Sequence, residues 1–393
     1  GYEHLTIQIK ELARTYAKSK SLIIWGLGVT EHLDGSFAVS AIANLALLTG
    51  NIGKVGAGIM PLRGQNNVQG TCDMGCLPNY LPDYKKPEVE GLKSIEMFDE
   101  MIHGNVKAIY NLGEDLTHIH ANLNKINKAI QNLELLVVND IVDVSISKKA
   151  DIIFGVKSAY EKIGVYVNAE RRLHLNQPLV ESNRLDDWEV LQLIANFMNT
   201  NWSYKNSKDI WQEIQKEVSR YSGASYEMLL ENRDGLQWPI LDKDTKRLYE
   251  QKFHTKTSLG KFRYKQYDLR GFTKALYEKS TPKMTLTTGR IVYHYNNASQ
   301  TKESLKLLEY HDEDVVYISH EDIKSIDINK KHILKSLYGE TKPLQFKESK
   351  SLKKGVLYTT FHHFESNINA LFGDEGDCFT KTSRFKAVEV EII

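Results

Sequence analysis

The sequence predicts an α/β protein: two mainly parallel-sheet units, a helical connector and a separate β-rich end. The first observation is a short apolar strand, Ser21-Leu22-Ile23-Ile24-Trp25, running into Gly26-Leu27-Gly28-Val29-Thr30 and then a helix to Leu48. The second is the return of that pattern: strand 106–112, turn Gly113-Glu114-Asp115, helix 123–131. Alternation of this kind argues for parallel strands, with ligands at their carboxyl ends. The third is a change of character from Met284 onward, where short β-prone runs dominate.

In chain order, residues 11–19 read as a helix, 21–25 as a strand and the stretch to Leu48 as a buried helix, apolar over 41–48 but broken by Asn44. Strands at 106–112, 135–138 and 151–154 surround the helix 123–131. Residues 190–198 and 210–218 have amphipathic helical spacing. Residues 221–283 are irregular, with a turn at Gly235-Leu236-Gln237-Trp238-Pro239. The final runs are 284–288, 315–318, 356–360 and 387–393. The division expected is 1–65, 66–200, 201–282 and 283–393.

A chain of 393 residues is too long for one ordinary core, so two to four domains are expected. Its 41% hydrophobic and 26% charged residues suit a globular protein. A formal charge of +1 gives no electrostatic case for nucleic acid or an acidic membrane. No apolar run approaches a membrane span. The three cysteines fit a reducing, cytoplasmic compartment better than a disulfide framework. Cys72 and Cys76 are spaced C-x3-C, and with one other cysteine far away they read as ordinary small residues. The start at Gly1, without methionine, suggests a fragment or a processed chain.

Residues 61–75, Pro-Leu-Arg-Gly-Gln-Asn-Asn-Val-Gln-Gly-Thr-Cys-Asp-Met-Gly, hold one arginine, four side-chain amides and three glycines with no helical or strand period. Such a segment is suited to grip something polar. Arg63 adds a permanent charge and a planar fork that fits a carboxylate. The alternative is a surface loop whose amides satisfy their own backbone.

Other positions carry weaker signals. Gly26 and Gly28 follow a strand, where a phosphate can approach the backbone, but a lone G-x-G is equally a tight turn. Glu114 and Asp115 suit a ribose or a purine amine, and equally a helix cap. Asp140 ends a strand, where open sheets place ligand contacts. Asp186 and Asp187 suit a helix start, the commoner role for such acids, or a ligand contact. Arg290, after Thr288-Gly289, can hold a phosphate bidentately. His294 alone reads as a structural residue. His362 and His363 are adjacent, so a regular strand would point them to opposite faces, and no metal site is expected there.

Three stretches together carry a resemblance: Trp25-Gly26-Leu27-Gly28-Val29-Thr30-Glu31-His32, Asn44-Leu45-Ala46-Leu47-Leu48-Thr49-Gly50-Asn51-Ile52-Gly53, and residues 61–78. They resemble the carboxyl-terminal portion of the catalytic (alpha) subunit of molybdopterin-dependent formate dehydrogenases. The resemblance runs nearly end to end and is weakest over 204–283. It implies two pterin guanine dinucleotides around one molybdenum or tungsten. Each α/β unit would hold one, and a six-stranded barrel of double-psi type would cover both.

By position, the resemblance puts Arg63 beside formate, the small anionic substrate. It puts Gly26, Leu27, Gly28 and Glu31 at one dinucleotide, and Gln65 near the pterin. Gly113, Glu114, Asp115, Asp140 and Asp187 line the other crevice. Arg290, Ile291, His294, Asn296, Phe361, Asn369, Phe385 and Lys386 come from the last domain. It also implies electron transfer to iron–sulfur centres, with NAD as a candidate acceptor, and partners in the amino-terminal half and electron-transfer subunits. The family's metal-ligating cysteine or selenocysteine and its iron–sulfur cysteines lie upstream of the matched region, so the chain by itself is expected to be inactive. Further departures are Phe154-Gly155 for a usual Leu-Pro, Ile291 for a Glu, and 333–339 for a Ser-Arg-x-Gly turn. The alternatives are a non-catalytic cofactor-binding fragment, or an enzyme for nitrate or a similar oxyanion. A nicotinamide-dependent dehydrogenase is disfavoured by the missing G-x-G-x-x-G.

Overall fold

The computed structural model describes residues 3–264 and 283–393. Helix α1 (Thr6–Lys18) leads to β1 (Leu22–Trp25), the single turn α2 (Leu27–Thr30) and helix α3 (Gly35–Leu48). Strand β2 (Gly58–Pro61) lies parallel to β1, with Trp25 opposite Pro61. Helix α4 (Val68–Asp73) follows. It corrects the expectation that 61–75 has no regular structure. Gln69 Nε2 donates to Asp73 Oδ1 at 2.9 Å and the Thr71 hydroxyl to Asn67 O at 2.9 Å. These local bonds hold a turn of helix that glycine content argues against.

The second unit is built as the sequence predicts. Helix α5 (Ser94–Ile102) precedes β3 (Ala108–Leu112), the single turn α6 (Leu116–Ile119), α7 (Leu123–Gln131), β4 (Leu135–Asp140) and β5 (Ile152–Gly155). The three strands form a parallel sheet in the order β3-β4-β5. Phe98, Met101, Ile126, Ile130, Leu136, Val138 and Ile146 form its core. Both small parallel sheets leave aliphatic surface exposed: Leu22 and Ile24 on β1, Ile152 and Ile153 on β5.

An antiparallel sheet not expected from the sequence comes next: β6 (Gly164–Val167), β7 (Arg172–Asn176) and the two-residue β8 (Leu236–Gln237). Within the turn expected at 235–239, Leu236 and Gln237 are an edge strand. Helices α8 (Asp187–Phe197), α9 (Ser207–Glu217) and α10 (Tyr226–Glu231) lie between. Trp211, Tyr221, Leu229 and Ile240 pack with Val167 and Leu173 of the sheet. The stretch 221–283 read as irregular thus contains α10, whose start is capped by Ser225 accepting from Met228 N–H. Residues 265–282 of that stretch lie outside the described residues.

The last part is a six-stranded mixed sheet in the order β11-β14-β9-β13-β10-β12. Its strands are β9 (Met284–Thr288), β10 (Val316–Ser319), β11 (Leu334–Lys335), β12 (Phe346–Ser349), β13 (Val356–Thr359) and β14 (Val388–Ile392). A bridge between His332 and Leu344, just ahead of the two edge strands, curls the sheet back on itself. Leu286, Val316, Ile318, Leu334, Phe346, Leu357 and Leu371 fill the inside.

Candidate functional site

Three pairs of parallel strands each deliver two candidate segments at their carboxyl ends. Beyond β1 and β2 stand Gly26-Leu27-Gly28 and Arg63, tied by Leu62 N–H donating to Trp25 O at 2.8 Å. Beyond β3 and β4 stand Gly113-Glu114 and Asp140, tied by Gly113 N–H to Asn139 O at 2.9 Å. Beyond β9 and β13 stand Gly289-Arg290 and Thr360-Phe361, tied by Gly289 N–H to Thr359 O at 3.0 Å.

At the first edge, Arg63 is exposed and its Nη2 donates to Gln69 Oε1 at 3.2 Å. Gln69 in turn donates to Asp73, which is fully buried. The Tyr221 hydroxyl also donates to Asp73, and Arg220 lies 3.5 Å from it. The guanidinium is thus steadied by a relay rooted in the interior. Gln65 is exposed in the same segment. Leu27 is exposed, while Glu31 is buried and faces Lys386.

At the second edge, Glu114 is exposed and its Oε1 lies 3.2 Å from His120 Nε2. Asp115 is turned inward. It accepts from Thr117 Oγ1 (2.7 Å), Ser145 Oγ (2.5 Å), Ser145 N (3.0 Å) and Ile146 N (3.2 Å). Its oxygens hold the chain after β4 and make no capping bond to the N–H groups of α6, so the helix-cap reading of Asp115 is corrected: the carboxylate is drawn to Ser145 and Ile146 instead. Burial pushes the Asp140 carboxyl above the usual range, against the Ile141 and Val142 N–H groups that lower it. Asp187 accepts from Asn139 Nδ2 at 2.8 Å and pairs with Lys162.

In the last domain, Arg290 Nη2 donates to Asn296 Oδ1 at 3.0 Å and its guanidinium lies 5.1 Å from the Phe361 ring centre. Ile291 N–H donates to His362 Nε2 at 3.1 Å. Phe361 belongs to the barrel core and Phe385, partly buried, packs against it. Asn369 Nδ2 donates to His118 O at 2.8 Å, joining the barrel to α6. His294 gathers with His311, His362 and His363, all rings within 5.7 Å of it. Residues 360–363 lie beyond β13, so the alternation assumed for His362 and His363 does not apply and both turn to the same cluster. Burial foremost holds His362 well below the usual imidazole range, at about 4.

Sequence reasoning missed Gln69, Asp73, Tyr221, Asn139 and Tyr110. Gln69 sits in a run that was singled out, and Asn139 is the residue before Asp140. Nothing local marks Tyr221, 148 positions from Asp73. One cavity of about 650 Å³, lined by Ile333 and residues 335–343 with Asn124 and Asn367, meets none of the candidates.

The crevices suit a polar, phosphate-bearing group. A Cβ placed on Gly26, Gly28 or Gly113 meets no atom within 4 Å. Asn139 Oδ1 and Tyr110 Oη are buried without a hydrogen-bond partner in the protein, a cost a ligand can remove.

Two parallel-sheet α/β units followed by a curled six-stranded mixed sheet define a class, and the match with known proteins agrees. Residues 4–197 match the family described as Molybdopterin oxidoreductase, and residues 284–389 the Molydopterin dinucleotide binding domain. The chain belongs to the molybdopterin oxidoreductase family. It is 35% identical, over 98% of its length and 60% of the relative, to the F420-dependent formate dehydrogenase subunit alpha of Methanocaldococcus jannaschii. It is 33% identical, over 98% of its length and 58% of the relative, to Formate dehydrogenase H of Escherichia coli. The chain spans about 60% of the length of these relatives. Among solved structures, the Acetylene Hydratase from Pelobacter acetylenicus aligns with a TM-score of 0.56 at 13% identity, over 82% of this chain and 50% of that one. That likeness is one of fold alone.

Proposed function

We propose that this chain is the carboxyl-terminal part of a formate dehydrogenase catalytic subunit. The observation that carries the reading is Arg63: an exposed guanidinium at the carboxyl edge of β1 and β2, held by Gln69, in a chain whose relatives bear that name. Formate is a one-carbon anion, and a fixed fork binds its two oxygens and directs its C–H away from the arginine. Formate oxidation releases two electrons, a proton and carbon dioxide. A bis(molybdopterin guanine dinucleotide) bearing molybdenum or tungsten supplies the two-electron redox chemistry when bound.

The chain's residues supply the grip. Gly26, Leu27 and Gly28 offer open backbone to one dinucleotide. Gly113, Glu114, Asp140 and Asp187 line the other crevice, with Arg290 and Asn296 reaching in from the barrel. We assign Asp115, Phe361 and Phe385 supporting roles, since their polar atoms or rings are committed within the protein. The exposed aliphatic edges of β1 and β5 suit cover by further chain of such an enzyme. Iron–sulfur centres, whose cysteine ligands would come from that further chain, would supply the electron-transfer chemistry, and the three free cysteines favour a cytoplasmic enzyme.

The test is Arg63→Ala in the complete enzyme, with formate turnover and cofactor content measured together. Loss of turnover with the pterin and metal retained supports the reading, and unchanged turnover overturns it. Turnover of nitrate in place of formate favours the oxyanion alternative.

A further inference from the structure

Three imidazoles converge beside the Arg290 segment from separate parts of the last domain. His294 follows β9, His311 precedes β10 and His363 follows β13. The rings of His311 and His363 stack with centres 5.3 Å apart, and His294 meets them edge-on at 5.4 and 5.7 Å. His311 Nδ1 faces His363 Nε2 at 3.2 Å. One ring nitrogen from each of the three lies within 4.8 Å of those of the other two. His294 Nε2 meets the His311 carbonyl oxygen at 2.7 Å, which leaves Nδ1, now 3.0 Å from the Thr301 hydroxyl, as the atom an ion would take over from that hydroxyl. His362 stands beside them with its Nε2 on the Ile291 N–H.

Two nitrogens on a tetrahedral ion, each about 2.0–2.1 Å from it, are separated by roughly 3.3 Å. The His311–His363 spacing is already of that size. The surroundings also suit ligation. Burial foremost holds His311 and His363 below the usual histidine range, against the raising effect of Asp314. Behind His311, its Nε2 lies 3.4 Å from the Thr360 hydroxyl, which donates to Asp314 at 2.5 Å. Asp314 is buried and also accepts from His362 N, His363 N and Ser366 Oγ. A carboxylate behind the ligands, acting through a hydroxyl, is the outer support that metal-binding imidazoles use.

We propose that His294, His311 and His363 form a three-imidazole site for a divalent transition-metal ion, of the zinc class in ligand preference. The ion would tie the segments after β9, before β10 and after β13 together. The proposal does not depend on formate chemistry.

The experiment uses the full chain, treated with chelator and then dialysed against Zn²⁺, with Co²⁺ as a spectroscopic substitute. One Zn²⁺ per chain is expected, with affinity falling more than about tenfold in His311→Ala and His363→Gln. His320→Ala, an exposed histidine paired with Glu348, is expected to bind as the unaltered chain does. The Co²⁺ spectrum of the unaltered chain reads the ligand class without any variant. Tetrahedral nitrogen-type bands support the site. Thiolate charge transfer would place the ion on Cys72 and Cys76 and overturn it. So would a chain that takes up no zinc, or one that retains it equally in both variants.

Discussion

Lys386 Nζ lies 3.0 Å from Glu31 Oε2, and both side chains are mostly buried, 14% and 10% exposed. The same ammonium donates to Thr288 O at 3.0 Å. The pair joins the end of α2 to the barrel. Lys386→Met leaves a buried carboxylate unpartnered and is expected to cost about 3 kcal/mol. Adding Glu31→Leu is expected to restore most of it. Urea unfolding midpoints of the two variants check this, and a neutral single variant would remove the pair from the account of domain docking.

A second clamp is pH-dependent. Asp377 accepts from Ser36 N (3.0 Å) and Ser36 Oγ (2.6 Å) in the first turn of α3, and from the Phe379 and Thr380 N–H groups. Burial acts to raise its carboxyl, but these bonds outweigh it and hold it at about 2. A depressed carboxyl stabilises the fold above its unfolded value, near 4, and that stabilisation is lost as pH falls through the folded value. The contribution is roughly 2 kcal/mol at neutral pH. Asp377→Asn is therefore expected to lower the melting temperature at pH 7 and flatten its decline from pH 4 to 2. A parallel decline in both proteins would contradict the assignment.

Binding and folding can be separated at the glycines. Gly26 has φ −122° and open space before it, so Gly26→Ala is expected to leave the melting temperature unchanged. It is also expected to reduce the guanine nucleotide retained by the complete enzyme. Gly113 has φ +67°, and Gly113→Ala is expected to cost about 1–2 kcal/mol of stability. Retention of nucleotide by Gly26→Ala at the unaltered level would remove that crevice from the binding surface.

Gln69 acts through Arg63. In the complete enzyme Gln69→Leu removes one hydrogen bond to a guanidinium, worth about 1.5 kcal/mol. The expected result is a fall of roughly tenfold in kcat/KM for formate, carried by KM, with pterin content unchanged. Gln69→Glu keeps the acceptor for Arg63 but replaces the donor to buried Asp73 with a second carboxylate, so any recovery of kcat/KM is expected together with a lower melting temperature. A fall in pterin content instead would mean that α4 supports the cofactor rather than the arginine.

The alternation of apolar runs with glycine turns was enough to predict β1, β3, β4 and β5 and helices α3 and α7, because period and punctuation are local properties. The runs after Met284 likewise located β9, β10, β13 and β14. Strands β6 and β7 escaped because Gly164 and the charged Glu170-Arg171-Arg172 run, a turn leading into the first residue of β7, interrupt their pattern. The two-residue β8 exists only through pairing with β7, some 60 positions away. Candidate residues at strand ends were legible, since chain order alone puts them after strands. Their roles were not. Glu114 and Asp115 are neighbours in sequence, yet one faces solvent and the other spends its carboxylate on Ser145 and Ile146.

The sequence by itself determined the succession of elements and the residues at their carboxyl ends. It also carried the resemblance to formate dehydrogenases. Only the tertiary structure decided which of those residues meet: Glu31 with Lys386, Asp73 with Tyr221, and His294 with His311 and His363. The reason is physical. Helical and strand periods are written within a few residues, whereas a buried charge or imidazole finds its partner across a packed interface between segments far apart in the chain.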